Sequence, residues 1–175
     1  MAWTDTLDAS HTTTHELEIV LRLLMAAGAG AAIGIEREIK DRPAGLRTHM
    51  LTALAAAVFT ILTFEIYFTA KGTGDPIRVI EAVTAGVAFL AAGAIIQGRR
   101  GVEGLTTGAG MWMAGALGVA CGAGYYILTA IATVLTVLIL AVLMRLDFLF
   151  GGTKDEPSGQ APARPSSGDD AVSRT

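Results

Sequence analysis

The chain has 175 residues, 52% hydrophobic and only 17% charged, with a formal net charge of −3. Soluble domains carry roughly a quarter charged residues, so water alone is a poor solvent for this composition, and the acidic balance with scattered Arg and Lys excludes a nucleic-acid-binding face. The lone cysteine, Cys121, excludes an intrachain disulfide and a C-x-x-C metal signature, and reads as inert packing.

Residues 1–16 read as a short tail: Met1 to His15 contain no Lys or Arg, so the charged start of a secretory signal is missing and targeting is expected from the first membrane helix. A helix needs about 20 apolar residues to cross a roughly 30 Å hydrocarbon layer. Five stretches approach this length: Leu17–Ile35, Met50–Ala70, Val79–Gln97, Leu105–Gly122 and Tyr125–Met144. Their continuity and richness in Ala, Gly and Leu predict helices rather than the alternating strands of a barrel. Pro43 and Pro76 fall between the runs, which sharpens the breaks. Residues 151–175 turn to Gly, Pro, Ser, Asp and Arg, a composition too polar to offset ordering entropy, and predict a disordered cytoplasmic tail.

Cytoplasmic loops retain Lys and Arg. Arg37, Lys40, Arg42 and Arg47 follow the first run, Arg99 and Arg100 the third, and Arg145 and Lys154 the fifth; the opposite side holds only Lys71 and Arg78. The asymmetry predicts an outside N-terminus and a cytoplasmic C-terminus. Tyr67, Phe68, Tyr125 and Tyr126 fall at the outer boundary, where amphipathic rings prefer to sit.

A shift of 59 residues superposes Gly34 on Gly93, Gly45 on Gly104, Leu46 on Leu105 and Thr48 on Thr107. Each half then reads helix, short loop, G-L-x-T, helix. The expected fold is all-α: two parallel helix-loop-helix repeats related by an axis along the membrane normal, plus a fifth helix. Chance likeness of two helix starts is the alternative.

The densest polar segment runs from Gly34 to His49. A solvated, orienting loop is the plain reading, with Glu36 and Lys40 able to pair at i and i+4 if the first helix continues that far. The sharper reading uses Gly45 and Gly104, both preceding helices that begin at the cytoplasmic face, where free N–H groups and the helix dipole favour an anion. Arg47 would strengthen such a site. Phosphate, a lipid head group and a folded-back Glu36 or Glu38 carboxylate all fit, and internal carboxylate capping is favoured because it needs no ligand. Arg47 is expected to pair with Glu36 or Glu38. His49 reads as a hydrogen-bonded cap rather than a metal ligand.

Glu36 and Glu38 are the weak candidates for a metal, with Glu18, Glu65 and Glu81 toward the outer side; no carboxylate lies midway through a run. Gly30 with Gly34, and Gly118 with Gly122, are small-xxx-small pairs that allow close helix approach within or between chains. Self-association is expected. Met111 and Trp112 read as packing residues. Catalysis finds no nucleophile and base pair, no P-loop and no His or Cys cluster, and no cofactor is expected.

The run Gly34-Ile35-Glu36-Arg37-Glu38 followed by Pro43-Ala44-Gly45-Leu46-Arg47-Thr48-His49 resembles the G-x-E-R-E and A-G-L-R-T-H motif pair of the MgtC/SapB family of bacterial inner-membrane proteins. Phe89-Leu90-Ala91-Ala92-Gly93-Ala94-Ile95 resembles the family's F-L-G-A-G-x-I stretch, and Gly104-Leu105-Thr106-Thr107 with Trp112 its G-L-T-T-A-A-x-x-W. Ala92 and Gly108 depart from the pattern by one small residue for another.

The resemblance spans roughly Leu17 to Phe148. It implies a five-span inner-membrane domain with a periplasmic N-terminus, linked to magnesium limitation, acid tolerance and virulence. Regulation of a membrane partner such as the ATP synthase is the leading implied role, and transport of Mg²⁺ or another small ion the alternative. The cytoplasmic functional surface would comprise Glu36, Arg37, Glu38, Gly45, Leu46, Arg47, Thr48, Gly104, Leu105, Thr106 and Thr107, in a homo-oligomer with a dimer favoured. Some members carry a folded cytoplasmic domain, for which residues 151–175 are too few and too polar.

Overall fold

The computed structural model describes residues 2–72, 75–98 and 101–150, and side-chain surroundings for 14–72, 75–95 and 102–142. The tail expected over 151–175 and the arginines at 99 and 100 lie outside the described residues. Five helices run in chain order: α1 (Ala2–Ile39), α2 (Leu46–Thr69), α3 (Ile77–Gly93), α4 (Leu105–Gly122) and α5 (Tyr126–Phe150). A two-stranded antiparallel hairpin, β1 (Ile96–Gly98) and β2 (Gly101–Glu103), joins α3 to α4, with Ile96 opposite Glu103.

The fourth run and α4 share both ends. Elsewhere the boundaries move. Helix α1 begins at Ala2 and absorbs the expected tail, and α5 extends to Phe150. The third run stops early: α3 ends at Gly93, and Ile96 and Gln97, counted there as helical, lie in β1. Gly93, Gly98 and Gly101 flank a stretch too glycine-rich to hold a helix, and backbone N–H and C=O groups left by the helix are satisfied across the hairpin instead.

Several helices end by the same device. After α1, Asp41 adopts a left-handed conformation (φ 51°), Arg42 N–H returns to Arg37 O at 3.1 Å and Asp41 N–H to Glu38 O at 3.1 Å. This is a Schellman closure, which satisfies carbonyls that would otherwise be orphaned. Lys71 (φ 55°) closes α2 and Gly124 (φ 81°) closes α4 in the same way.

Helices α1, α2 and α4 pack mutually; α3 leans on α4 and touches α2 little, and α5 lies against α1 and α4. The centre is made of small side chains: Ala26, Ala57 and Cys121 form one buried cluster, and Ala29 with Ile33 and Leu117 another. Large apolar side chains face outward, among them Leu24, Leu51, Phe59, Phe89, Leu128 and Leu138. A small-residue interior inside a large-residue exterior is the arrangement expected where the solvent is itself apolar. Two helical stretches among the described residues, Thr14–Ile39 and Leu46–Thr69, are long and apolar enough to cross a membrane.

The glycine pairs act inside the chain. A Cβ on Gly30 would stand 2.6 Å from His49 O and one on Gly34 2.6 Å from Leu46 Cα, while Gly118 and Gly122 abut the Ala53 and Ala57 carbonyls. Helix α2 is therefore gripped between glycine faces of α1 and α4. Buried Thr60 and Thr129 donate their hydroxyls to the carbonyls of Ala56 and Tyr125, one turn back, so they add no unpaired group to an apolar interior. Cys121 is a free, fully buried thiol, and Met111 is core; Trp112 is not, being 47% exposed.

Candidate polar clusters at the two ends of the bundle

The Schellman turn after α1 folds the chain back so that α2 starts beside the helix that precedes it. Glu38 Oε2 accepts the Leu46 N–H at 2.9 Å, capping α2 with a carboxylate from α1. A Cβ on Gly45, the N-cap residue, would displace that carboxylate from the helix start. Internal capping of this helix is thus observed, and Glu38 is the residue that does it. Glu36 pairs with Lys40 one turn on. Arg47 does not pair with either carboxylate: it is exposed, and nearer groups, Lys40 and the Leu46 N–H, occupy them.

His49 is fully buried in the first turn of α2; its Nδ1–H donates to Gly45 O at 2.9 Å, as a cap. Its Nε2 has no partner and lies 3.0 Å from where a Gly110 Cβ would stand, so glycine at 110 makes room for the ring. Arg37, 3% exposed, crosses from α1 to donate to Thr107 Oγ1 in the first turn of α4, while its Nε is left unpartnered. Arg37, His49 and Thr107, from three helices, thus gather at one end of the bundle. Leu105 and Thr106 stay exposed beside them, and Thr48 is half-buried.

The starts of α2 and α4 differ despite their shared G-L-x-T. Gly104 has φ 88°, a left-handed conformation that favours glycine, and a Cβ there would run into the Ala94 carbonyl. Gly45 has φ −102°.

The other end of the bundle holds a second polar group, in which Glu18 and Glu65 are expected from the sequence and Arg22 and His15 are not. Arg22 pairs with Glu18 at 2.5 Å and donates to Gly122 O at 2.8 Å, the C-terminus of α4, where a cation complements the helix dipole. His15 and Glu65 approach to 3.0 Å, joining α1 to α2. These four side chains with Phe64 and Phe68 line a cavity of about 460 Å³. The signal was available: Arg22 interrupts an apolar run four residues after Glu18. Among the described residues no three His, Cys, Asp or Glu side chains converge as a metal site; one oxygen of Glu36 holds Lys40 while Oε2 is buried without a partner, and Glu38 Oε2 holds the Leu46 N–H.

An apolar helical bundle with polar groups gathered at its two ends defines a membrane protein. The sequence profile of the MgtC family matches residues 23–148, and the chain belongs to that family. It is 38% identical over 135 residues to the Escherichia coli (strain K12) protein named "Putative magnesium transporter YhiD", covering 75% of this chain and 63% of that one. Protein MgtC of Brucella abortus (strain 2308) is 39% identical over 117 residues, 67% of this chain and 48% of its own. Protein SrpB of Synechococcus elongatus is 38% identical over 143 residues, 75% of this chain and 78% of its own. The chain thus spans less than two thirds of the length of the first two. No solved structure matches it.

Proposed function

We propose that this chain is a non-enzymatic inner-membrane protein of five spans, N-terminus outside and C-terminus in the cytoplasm, that supports magnesium homeostasis or stress adaptation by regulating a membrane-protein partner. What supports regulation over conduction is the packing midway along the bundle. Between the two polar ends, α1, α2 and α4 meet through Gly30, Ala26, Ala57, Gly118 and Cys121, and the buried hydroxyls there bond to their own helices. A groove of about 690 Å³ between α2 and α3 is lined by apolar residues such as Phe59, Leu62, Val83 and Leu90, with Asp75 and Arg78 at one end, which suits lipid rather than an ion. The exposed residues of the cytoplasmic end, among them Glu38, Arg47, Leu105 and Thr106, are the face offered to the partner, with Arg37 and Thr107 of the expected surface buried beneath it.

A transporter is the second reading. It is favoured by the name of the Escherichia coli relative and by the outer cavity, where Glu18 and Glu65 would meet a cation. Flux of Mg²⁺ into liposomes holding the folded protein, read by an internal fluorescent reporter, separates the two. The expected result is no flux above empty liposomes. Saturable flux that falls in a Glu18→Gln/Glu65→Gln or a Glu36→Gln/Glu38→Gln variant would replace regulation with transport and mark the carboxylates on the path.

A further inference from the structure

Among the described residues, Arg37 is the arginine buried without an ion-pair contact. It is 3% exposed, its one described side-chain hydrogen bond goes to the neutral Thr107 hydroxyl, and its Nε finds no partner. None of the described ion pairs includes it; the Glu36 carboxylate acts on its charge from nearby, but without an ion-pair contact and while holding Lys40. An unpaired buried guanidinium is costly, and the cost is relieved by an anion with hydrogen-bond acceptors on more than one side.

The repeat explains where that anion belongs. In the first half Glu38 supplies a carboxylate to the start of α2. The 59-residue shift places Gln97, a neutral amide, at the corresponding position of the second half. Gly104 contributes no side-chain cap to α4, an 18-residue helix. The first-turn N–H groups of Leu105, Thr106 and Thr107 therefore lie at a positive helix end with Arg37 beside them, and Leu105 and Thr106 are open to the cytoplasmic side of the cluster.

We propose that the start of α4, together with Arg37, binds a phosphate-class oxyanion, either free phosphate or the phosphate of a lipid head group. The first half carries its own anion; the second takes one from outside. A tetrahedral oxyanion accepts from the α4 N–H groups on one side and from the guanidinium on the other, leaving Thr107 to hold Arg37 in place. The inference does not depend on whether the protein regulates or transports.

The test is thermal unfolding of the full chain in uncharged detergent, with inorganic phosphate, with a short-chain phosphatidylglycerol, or with chloride at equal ionic strength. Wild type is expected to rise by roughly 2–8 °C with at least one phosphate source and not with chloride. A response to inorganic phosphate assigns a free anion; a response to the lipid alone assigns a head group. Arg37→Gln should lose the response. Should that variant not fold, Thr106→Glu decides: a carboxylate in the first turn supplies the anion internally, so ligand-free stability should rise and the phosphate response should vanish. No shift with either source, an equal shift with chloride, or a full response retained in Thr106→Glu overturns the proposal.

Discussion

The carboxylates between α1 and α2 show how one residue's role depends on what lies within a turn of it. Glu36 finds Lys40 on its own helix, and Glu38 is carried by the Asp41 turn to the first N–H of α2. Replacing Glu38 with Ala removes the acceptor and leaves Leu46 N–H to water, an expected loss of about 1 kcal/mol in unfolding measured in detergent. Arg47→Ala touches neither carboxylate, and its effect should stay within about 0.5 kcal/mol. Equal losses in the two variants would show that Arg47 does hold the loop together. The G-L-x-T pattern made both helix starts visible in the sequence. The choice of Glu38 as the cap, and of Arg37 rather than Arg47 as the arginine turned inward, was not legible, because it depends on a left-handed residue two positions beyond the helix.

At the scale of elements, the glycines divide into those that admit a neighbour and those that do not. Gly118 and Gly122 abut the backbone of α2, whereas nothing stands within 4 Å of a Cβ placed on Gly28. Gly118→Ala must push α2 aside and is expected to cost roughly 1–3 kcal/mol. Gly28→Ala should be neutral or stabilising by up to about 1 kcal/mol, since it only removes backbone freedom. Parallel thermal unfolding of the two variants checks the contrast; similar losses would mean that α2 is not gripped through these faces. The spacing of four announced close contact but not with what. The early end of α3 is a different case: hydropathy continues through Ile95 and Ile96, so an apolar run concealed a hairpin whose pairing only the neighbouring strand could reveal.

For the whole molecule, charge segregates to the two ends, with Arg22 and its partners at one and Arg37, Lys40 and Arg42 near the other. The proposed topology expects a C-terminal alkaline phosphatase fusion to be inactive and a C-terminal fluorescent fusion to be bright, because only the first requires export. The reverse pattern would invert the orientation and move the α4 anion site to the outer face.

Composition, apolar run length and the placement of Lys and Arg determined by themselves that this is a helical membrane protein, because the cost of placing backbone and charge in hydrocarbon acts on each segment separately. The motifs around Gly34–His49 and Gly104–Thr107 were likewise local, and sufficed to show the family. Tertiary structure alone decided that the glycine faces close within one chain, that Arg22 bonds the end of α4, and that Arg37 lies buried against Thr107 outside every described ion pair. Those facts join residues up to 100 positions apart, and no local pattern encodes which distant backbone will be near enough to share a hydrogen bond.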